Sequence, residues 1–246
     1  MQLNFISLGY FCAVASELEK IGLRTVSSPF DWVVSDFEGV IEAIRHHFVD
    51  FLNYEYLYQS KCEHGHYKNT KYNIEFFHDF DEYASLEEQL PAIQKKYERR
   101  INRFYKMITE PTVFIRYISD EATIDGVSQE LIYIEKNYDW IEELLKTFNA
   151  SNEILFIANE GVLSTKFIIY NVKKDENDTV ARNPITDDSV LLNKFSCFDL
   201  PDKQVNIERY RHKERYRRRI SLRVKRRIIV LLKRIFKKQY VHENQY

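Results

Sequence analysis

The stretch LNFISLGYFCAVA, residues 3–15, determines the architecture that we predict for this chain. Its first six residues are mostly apolar, as is typical of a short buried strand, and Gly9 then interrupts the run. A helix is predicted from about Cys12 to Ile21, because its apolar residues fall on one face and Gly22 follows as a terminator. A strand, a turn and a helix in this order are the expected first unit of a layered domain.

Helices and apolar strands continue to alternate beyond this unit. Ser85 and Glu88 form a capping box, so a long helix is expected from there to about Ile108. Two further helices are predicted over residues 36–48 and 128–148, and strands over residues 72–78, 112–118, 153–159 and 166–172. The alternation predicts an α/β or α+β domain, built as a layered sheet with flanking helices.

The net charge of −1 is the average of two unlike segments. Residues 1–205 carry 21 Lys and Arg against 34 Asp and Glu, a net charge of −13. Residues 206–246 carry 15 Lys and Arg against 3 Asp and Glu, a net charge of +12. We therefore predict one large domain over residues 1–205 and a basic tail over residues 206–246.

Composition excludes several classes of protein. A hydrophobic content of 44% excludes a disordered chain, and three Cys, an odd number, fit a reducing compartment better than a disulfide scaffold. The N-terminus has no Lys or Arg before its apolar run, unlike a signal peptide, and no apolar run reaches the roughly 18 residues of a spanning helix. We expect a cytoplasmic protein.

Cys12 is the first candidate for a catalytic residue. It would open a helix directly after a strand and a turn, and a helix N-terminus favours the thiolate form. His78, in the motif FFHDF, would accept the proton, and either Asp79 or the more distant Asp31 would orient the imidazole ring. The alternative interpretation is a small buried Cys12 and a surface His78 in an acidic turn.

The segment SSPFDW, residues 27–32, supplies candidates for substrate binding. Trp32 is a large apolar anchor beside Asp31, so the segment either pins a loop to the core or places the carboxylate in a pocket. Arg24, just before it, and Arg116, inside the apolar strand FIRY, are candidates for binding an anion or a carboxylate. A buried Arg without a partner is costly, so Arg116 is expected to have one, structural or functional.

A metal site is a competing hypothesis for the motif CEHGH, residues 62–66. Zinc sites usually have four ligands with paired spacing such as CxxC, and this spacing is alternate. We therefore favour a hairpin tip with Gly65 at the turn, and we predict no metal. No cofactor is predicted either. The sequence has no GxGxxG or P-loop motif, and DFD at residues 79–81, the nearest match to the DxD motif of a sugar- or nucleotide-dependent transferase, is a triplet that occurs by chance.

Five motifs in order, SLGYFC, LRTVSSPFDW, FFHDF, KYERRINRF and FIRY, resemble the bacterial family described as putative papain-like cysteine peptidases. The resemblance covers residues 3 to about 170. It implies a Cys–His site with Cys12 as nucleophile and His78 as base, while Asp31 and Asp79 stay open as the third member. Two arrangements of the sheet remain possible. One is a papain-like α+β arrangement, and the other is a Rossmann-like, mostly parallel sheet.

The tail contains a run, residues 208–240, in which apolar residues recur at helical spacing between Lys and Arg. Such a basic amphipathic helix suits an anionic membrane surface. Nucleic acid is disfavoured as a partner, because residues 1–205 are acidic and the apolar face of the predicted helix is strongly hydrophobic. The remaining alternative is self-association, with the tail docked on the acidic body or on another copy of the chain.

These features together predict a thiol-dependent hydrolase or acyltransferase at the cytoplasmic face of a membrane. Its substrate would be a peptide, an amide or an acyl-bearing compound, and its setting surface-glycan or cell-envelope assembly. The alternative is a non-catalytic binding or scaffold module in a membrane-associated envelope-biosynthesis complex, in which Cys12 is structural.

Overall fold

The computed structural model describes residues 3–59, 65–198 and 200–221. The strands are β1 (Asn4–Ser7), β2 (Val33–Ser35), β3 (Leu57–Gln59), β4 (Tyr67–Asn69), β5 (Ile74–Phe76), β6 (Thr112–Tyr117), β7 (Thr123–Ile124), β8 (Val127–Ser128), β9 (Glu153–Asn159) and β10 (Ile169–Val172). The helices are α1 (Ala13–Lys20), α2 (Phe37–Arg45), α3 (Leu86–Ile108), α4 (Gln129–Phe148), α5 (Ser189–Ser196) and α6 (203–221).

Four strands form a parallel sheet in the order β1–β6–β9–β10. Phe5 of β1 aligns with Val113 of β6, and Ile115 of β6 aligns with Leu155 of β9. Parallel neighbours need crossover connections, and these contain α2 and α3 between β1 and β6, and α4 between β6 and β9. The predicted α/β class is confirmed, and this sheet is of the parallel type that a Rossmann-like arrangement has.

Alternate residues of the central strand β6 face opposite sides of the sheet. Phe114 packs into the core that α2, α3 and α4 cover, whereas Val113, Ile115 and Tyr117 pack into the core that α1 and α5 cover. Each fully buried side chain of this kind contributes roughly 1.5–3 kcal/mol. The sheet is therefore the middle layer between two helical layers.

A second, antiparallel sheet has the order β2–β5–β4–β3 and joins the core beside α2 and α3. Sequence periodicity did not predict β2, β3 or β4, because strands of three residues are defined by pairing rather than by a pattern. Gln59 pairs with Tyr67 at the end of the β3–β4 ladder, as in a hairpin. Residues 60–64, which include Cys62, Glu63 and His64 of the CEHGH motif, lie outside the described residues, and the hairpin tip predicted for this motif stays a prediction.

Side-chain caps begin the helices α2, α3 and α4, and the capping box of α3 is the one predicted from the sequence. Ser85 accepts a hydrogen bond from the N–H of Glu88, whose carboxylate accepts from the N–H of Ser85, and this capping box begins α3. Asp36 caps α2 by accepting from the N–H of Glu38 (3.1 Å). Ser128 caps α4 in the same way. The helix α5 was not predicted from the sequence.

The helix α6 packs against the end of α1. The Asn206 amide donates to the carbonyl of Gly22 (3.3 Å), and Lys213 forms an ion pair with Glu19 (2.8 Å). A Cβ on Gly22 would lie 2.5 Å from the Lys203 carbonyl oxygen, so this close approach requires glycine. The first part of the basic tail is therefore fixed to the body.

The predicted boundary between residues 205 and 206 falls inside α6, and the division into domain and tail stays a prediction. The predicted amphipathic helix over residues 208–240 is helical as far as residue 221, and its remainder lies outside the described residues. None of the described helices is long and apolar enough to cross a membrane.

Candidate functional site

Cys12 follows a sharp turn at the carboxyl end of β1 and immediately precedes α1. Gly9 (φ 82°) and Tyr10 (φ 67°) both adopt the left-handed conformation. A Cβ on Gly9 would lie 2.6 Å from Ser35 Oγ, which accepts a hydrogen bond from the N–H of Tyr10 (3.0 Å). The turn thus leaves the Cys12 side chain partly exposed at a helix N-terminus, where the free N–H groups and the helix dipole favour negative charge.

Arg116 supports this turn from the central strand β6. Its side chain is fully buried, and all five of its N–H donors are used. They donate to the carbonyl of Leu8 (3.0 Å), to Oγ and the carbonyl of Ser35 (2.8 and 2.7 Å), and to both carboxylate oxygens of Glu130 (2.8 and 2.6 Å). The expected partner of Arg116 is therefore Glu130, together with Ser35 and the carbonyl of Leu8. Substrate binding by Arg116 stays a prediction, and it would require one of these hydrogen bonds to break.

Arg24, Asp31 and Trp32 lie together beside α1. Arg24 Nη1 pairs with Asp31 Oδ2 (2.6 Å), and its guanidinium lies 5.6 Å from the centre of the Trp32 ring. Arg24 also donates through Nε to the carbonyl of Ala15 (2.9 Å) and through Nη2 to Glu19 (2.7 Å). The loop that carries Asp31 is therefore tied to both ends of the helix that Cys12 begins.

Asp31 is fully buried. Its Oδ2 accepts from Arg24 and from the N–H of Ser28 (2.8 Å), whereas Oδ1 has no hydrogen-bond partner among the described residues. Burial raises the pKa of the Asp31 carboxyl above its usual range, although Arg24 and the Ser28 N–H act in the opposite direction. The unpartnered oxygen is the one that could still accept a proton donor.

His78 is exposed and lies two residues beyond the end of β5. β2 and β5 pair with Val33 opposite Phe76, and the same register continued by two residues would place His78 opposite Asp31. No hydrogen bond joins His78 to Cys12, Asp31 or Asp79 in the described part of the chain. The catalytic pair of Cys12 and His78 stays a prediction, and it requires the imidazole to approach the thiol.

Asp79 belongs to a different set of contacts. One carboxylate oxygen pairs with Lys96, and the other accepts a hydrogen bond from the Tyr97 hydroxyl (2.8 Å). Burial, together with the Asp79 charge, raises the pKa of Tyr97 well above its usual value. Asp79 is thus held against α3, so orienting His78 would cost these two contacts.

Sequence reasoning missed a polar network at the carboxyl ends of β6 and β9. The Tyr117 hydroxyl donates to Asn159 Oδ1 (2.5 Å) and accepts from the N–H of Ala181 (3.2 Å). Asn159 Nδ2 donates to Asp120 (2.8 Å) and to the carbonyl of Thr179 (3.0 Å). The signal was available, because polar residues that directly follow parallel strands lie at the edge where ligands bind in such folds.

A cavity of about 340 Å³ opens at the same edge of the sheet. Its lining includes Tyr10, Ser35, Ser119, Glu121 and Glu130. Burial raises the pKa of Tyr10 strongly, and nearby Glu121 acts in the same direction. The cavity adjoins the Cys12 turn through Tyr10, but neither Cys12 nor His78 lines it.

Metal ligation was considered for CEHGH, and Cys62 and His64 lie outside the described residues. His66 packs against the ring of Phe77, with ring centres 4.3 Å apart. Within residues 3–59, 65–198 and 200–221, no group of three or more His, Cys, Asp or Glu side chains is placed to hold a metal ion.

Comparison with known proteins gives one family and one relative. The family model described as "Putative papain-like cysteine peptidase" matches residues 3–139, more than half of the chain, and this span includes Cys12, Asp31, His78 and Asp79. An uncharacterised protein of Acanthamoeba polyphaga mimivirus is 31% identical over 176 residues, which cover 63% of this chain and 77% of that protein. No solved structure matches the chain. Since this relative is viral, a bacterial source stays a prediction.

Proposed function

The chain belongs to the family described as putative papain-like cysteine peptidases, and on that premise we propose that it is a thiol hydrolase or acyltransferase with Cys12 as the nucleophile. The supporting observation is the placement of Cys12. It is partly exposed, it precedes α1 at the carboxyl edge of a parallel sheet, and buried polar contacts hold its turn in place. Reactive side chains are presented in this way at a strand–turn–helix junction in other hydrolases.

In the proposed reaction the Cys12 thiolate attacks the carbonyl carbon of a peptide, amide or other acyl substrate. A thioester forms, and the leaving group departs with the proton that His78 took from the thiol. The N–H groups of Gly9 and Tyr10 already bind Ser7 and Ser35, so the following N–H groups, those of residues 11–13, are the candidates for stabilising the oxyanion. Water as the acceptor gives hydrolysis, and an amine or a sugar hydroxyl gives acyl transfer.

Asp31 is our choice for the residue that orients His78. Its Oδ1 is buried without a partner among the described residues, and the β2–β5 register points to the position of His78. Asp79, in contrast, is engaged by Lys96 and Tyr97. Arg24 and Arg116 then act as positioning residues that fix the loop and the turn.

The proposal includes a cytoplasmic location at an anionic membrane surface, in surface-glycan or envelope assembly. It rests on the charge of the tail, +12 over residues 206–246, and on the exposed basic side chains of α6. Cosedimentation with anionic vesicles, at two salt concentrations, of the full chain and of a chain ending at residue 221 tests this part.

A non-catalytic binding module is the second candidate. It is favoured by the lack of a hydrogen bond between Cys12 and His78 in the described structure and by a cavity that neither residue lines. In that case the 340 Å³ cavity, rather than the thiol, would hold the ligand.

Trapping of the acyl intermediate separates the two candidates. We expect p-nitrophenyl acetate to acetylate Cys12 in the intact protein, with loss of the adduct in Cys12→Ala and retention in Cys197→Ala, which removes an exposed control thiol. Mapping by mass spectrometry gives the site. Equal labelling of Cys12 and Cys197 would contradict the thiol-enzyme proposal.

A further inference from the structure

The described part of α6 has a distinctive basic face. Arg211, Arg215 and Arg218 follow one another at spacings of four and three residues, so their side chains leave the same side of the helix. All three are exposed. This side of α6 is turned toward α1 and the segment around Asn183, because all of these residues line one cleft.

The cleft has a volume of about 640 Å³ and shares no lining residue with the cavity beside Tyr10. Ser16 and Lys20 of α1 form one wall, and the three arginines of α6 form the other. Such a volume is in the range of small-ligand sites. Its lining contains hydroxyl, amide and cationic groups, which are donors suited to an oxyanion.

The positive charge of the cleft is not neutralised by its own carboxylates. Glu17 is buried and accepts from Lys20 (3.2 Å) and from the N–H (2.8 Å) and hydroxyl of Thr186. Glu214 is paired with Arg217 (3.0 Å), which does not line the cleft. In the described residues, Arg211, Arg215 and Arg218 therefore have no carboxylate partner.

The arginines are also free to use their forked donors. Arg215 donates a hydrogen bond through Nε to the carbonyl of Arg211 (3.3 Å), and both of its terminal nitrogens remain available. A guanidinium binds two oxygens of a phosphate at once, and several guanidinium groups on one face suit a dianion better than a single negative charge.

The walls of the cleft are fixed before any ligand arrives. Lys213 on α6 pairs with Glu19 on α1, and Asn206 binds the carbonyl of Gly22. Lys20 also bridges to the hydroxyl of Thr186 (2.9 Å). Because these contacts hold the two walls together, little ordering is needed when an anion binds, and preorganisation of this kind favours affinity.

We propose that this cleft, the α6 cleft, binds a phosphate monoester through Arg211, Arg215 and Arg218. The same chemistry is offered by free inorganic phosphate and by a lipid headgroup such as that of phosphatidic acid. If the phosphate belongs to a lipid, the cleft would recognise a defined headgroup, in addition to the general electrostatic attraction between the basic tail and an anionic membrane that the proposed function includes. The cleft does not depend on the Cys12 chemistry, so it stands or fails independently of the thiol proposal.

The test uses the full chain and a matched pair of double variants. Arg211→Gln with Arg215→Gln removes two charges from the cleft, whereas Arg209→Gln with Arg219→Gln removes two charges from the same helix outside it. Binding of inorganic phosphate and of glycerol 1-phosphate is followed by calorimetry. Binding to phosphatidylcholine vesicles, with either phosphatidic acid or phosphatidylglycerol added, is followed by sedimentation.

The cleft variant is expected to bind glycerol 1-phosphate and phosphatidic acid vesicles roughly tenfold or more weakly than the parent, and the control variant to bind within about twofold of it. Preference for phosphatidic acid over phosphatidylglycerol at equal lipid charge supports the headgroup source, and binding of inorganic phosphate without that preference supports a free-phosphate source. Equal losses in both variants would show a diffuse basic surface and overturn the proposal. Binding of an RNA oligonucleotide with no binding of either phosphate probe would overturn it as well.

Discussion

The turn that carries Cys12 and the strand end that carries His78 are held in different ways by the structure. Ser35 and Arg116 fix the first with buried hydrogen bonds, and Arg24 and Asp31 fix the helix behind it. His78 lies exposed after a strand of three residues. In the proposed enzyme, therefore, the nucleophile is preorganised, whereas the base has to be brought to it.

The largest effect on stability is expected when Arg116, which supports the turn that carries Cys12, is replaced. Arg116→Met leaves the Glu130 carboxylate buried without its partner and removes two bonds to Ser35, so we expect the free energy of unfolding to fall by about 3–5 kcal/mol. Urea denaturation measures this change. A loss below about 1 kcal/mol would contradict the role given to Arg116.

The double variant Arg116→Met with Glu130→Leu is the control for that substitution. It replaces the ion pair with apolar side chains, so it should recover part of the stability. If the double variant is less stable than the single one by the full cost of a second buried substitution, the two residues are not energetically coupled.

A smaller effect, dependent on pH, is expected at Asp31. Its folded-state pKa is raised, so above the ordinary Asp value of about 4 the folded chain binds more protons than the unfolded chain. The contribution of this group to stability is then complete below that value and is lost as the pH rises through the folded pKa. We expect the stability of the protein relative to Asp31→Asn to fall over the pH range above about 4.

Urea midpoints of both proteins across this range, at constant ionic strength, test the expected slope. A stability difference that grows with pH would mean that the ion pair with Arg24 outweighs burial and that the carboxylate is the favoured form. In that case the ionised carboxylate would present its unpartnered Oδ1 as a charged acceptor for the ring N–H of His78.

The smallest effect on stability is expected when the exposed His78 is replaced. His78→Ala should leave the urea midpoint unchanged, because His78 makes no hydrogen bond in the described structure. Its neighbour gives the matched comparison, since Asp79→Ala removes the bonds to Lys96 and Tyr97 and should cost roughly 1–3 kcal/mol. Equal losses of stability in the two variants would show that His78 has a structural role. This result would contradict the proposed difference between the fixed turn of Cys12 and the exposed His78.

The parts of the fold that sequence could predict are those with strong local signals. β9 has the bounds predicted from EILFIAN, and α3 begins at the predicted capping box. β2 carries no such signal, because its three residues become a strand by pairing with β5, which lies far along the chain. Pairing of this kind depends on tertiary contacts that one sequence does not reveal.

The candidate site divides in the same way. Arg24 and Asp31 are seven residues apart and carry opposite charges at the two ends of one short loop, so their pairing is local in sequence. The partnership of Arg116 with Glu130, and the network of Tyr117 with Asn159, depend on which strands are neighbours in the sheet. The distance from His78 to Cys12 depends on the end of a short strand, which no local pattern determines.

The alkylation rate of Cys12 is the measurement that tests the central claim most directly. Iodoacetamide labelling at about pH 6, where an ordinary thiol is almost fully protonated, is followed site by site in the parent and in His78→Ala, with exposed Cys197 as the internal standard. We expect Cys12 to react at least roughly tenfold faster than Cys197 in the parent and to lose most of this advantage in His78→Ala. Equal rates at the two cysteines, unchanged by the loss of His78, would contradict the central claim.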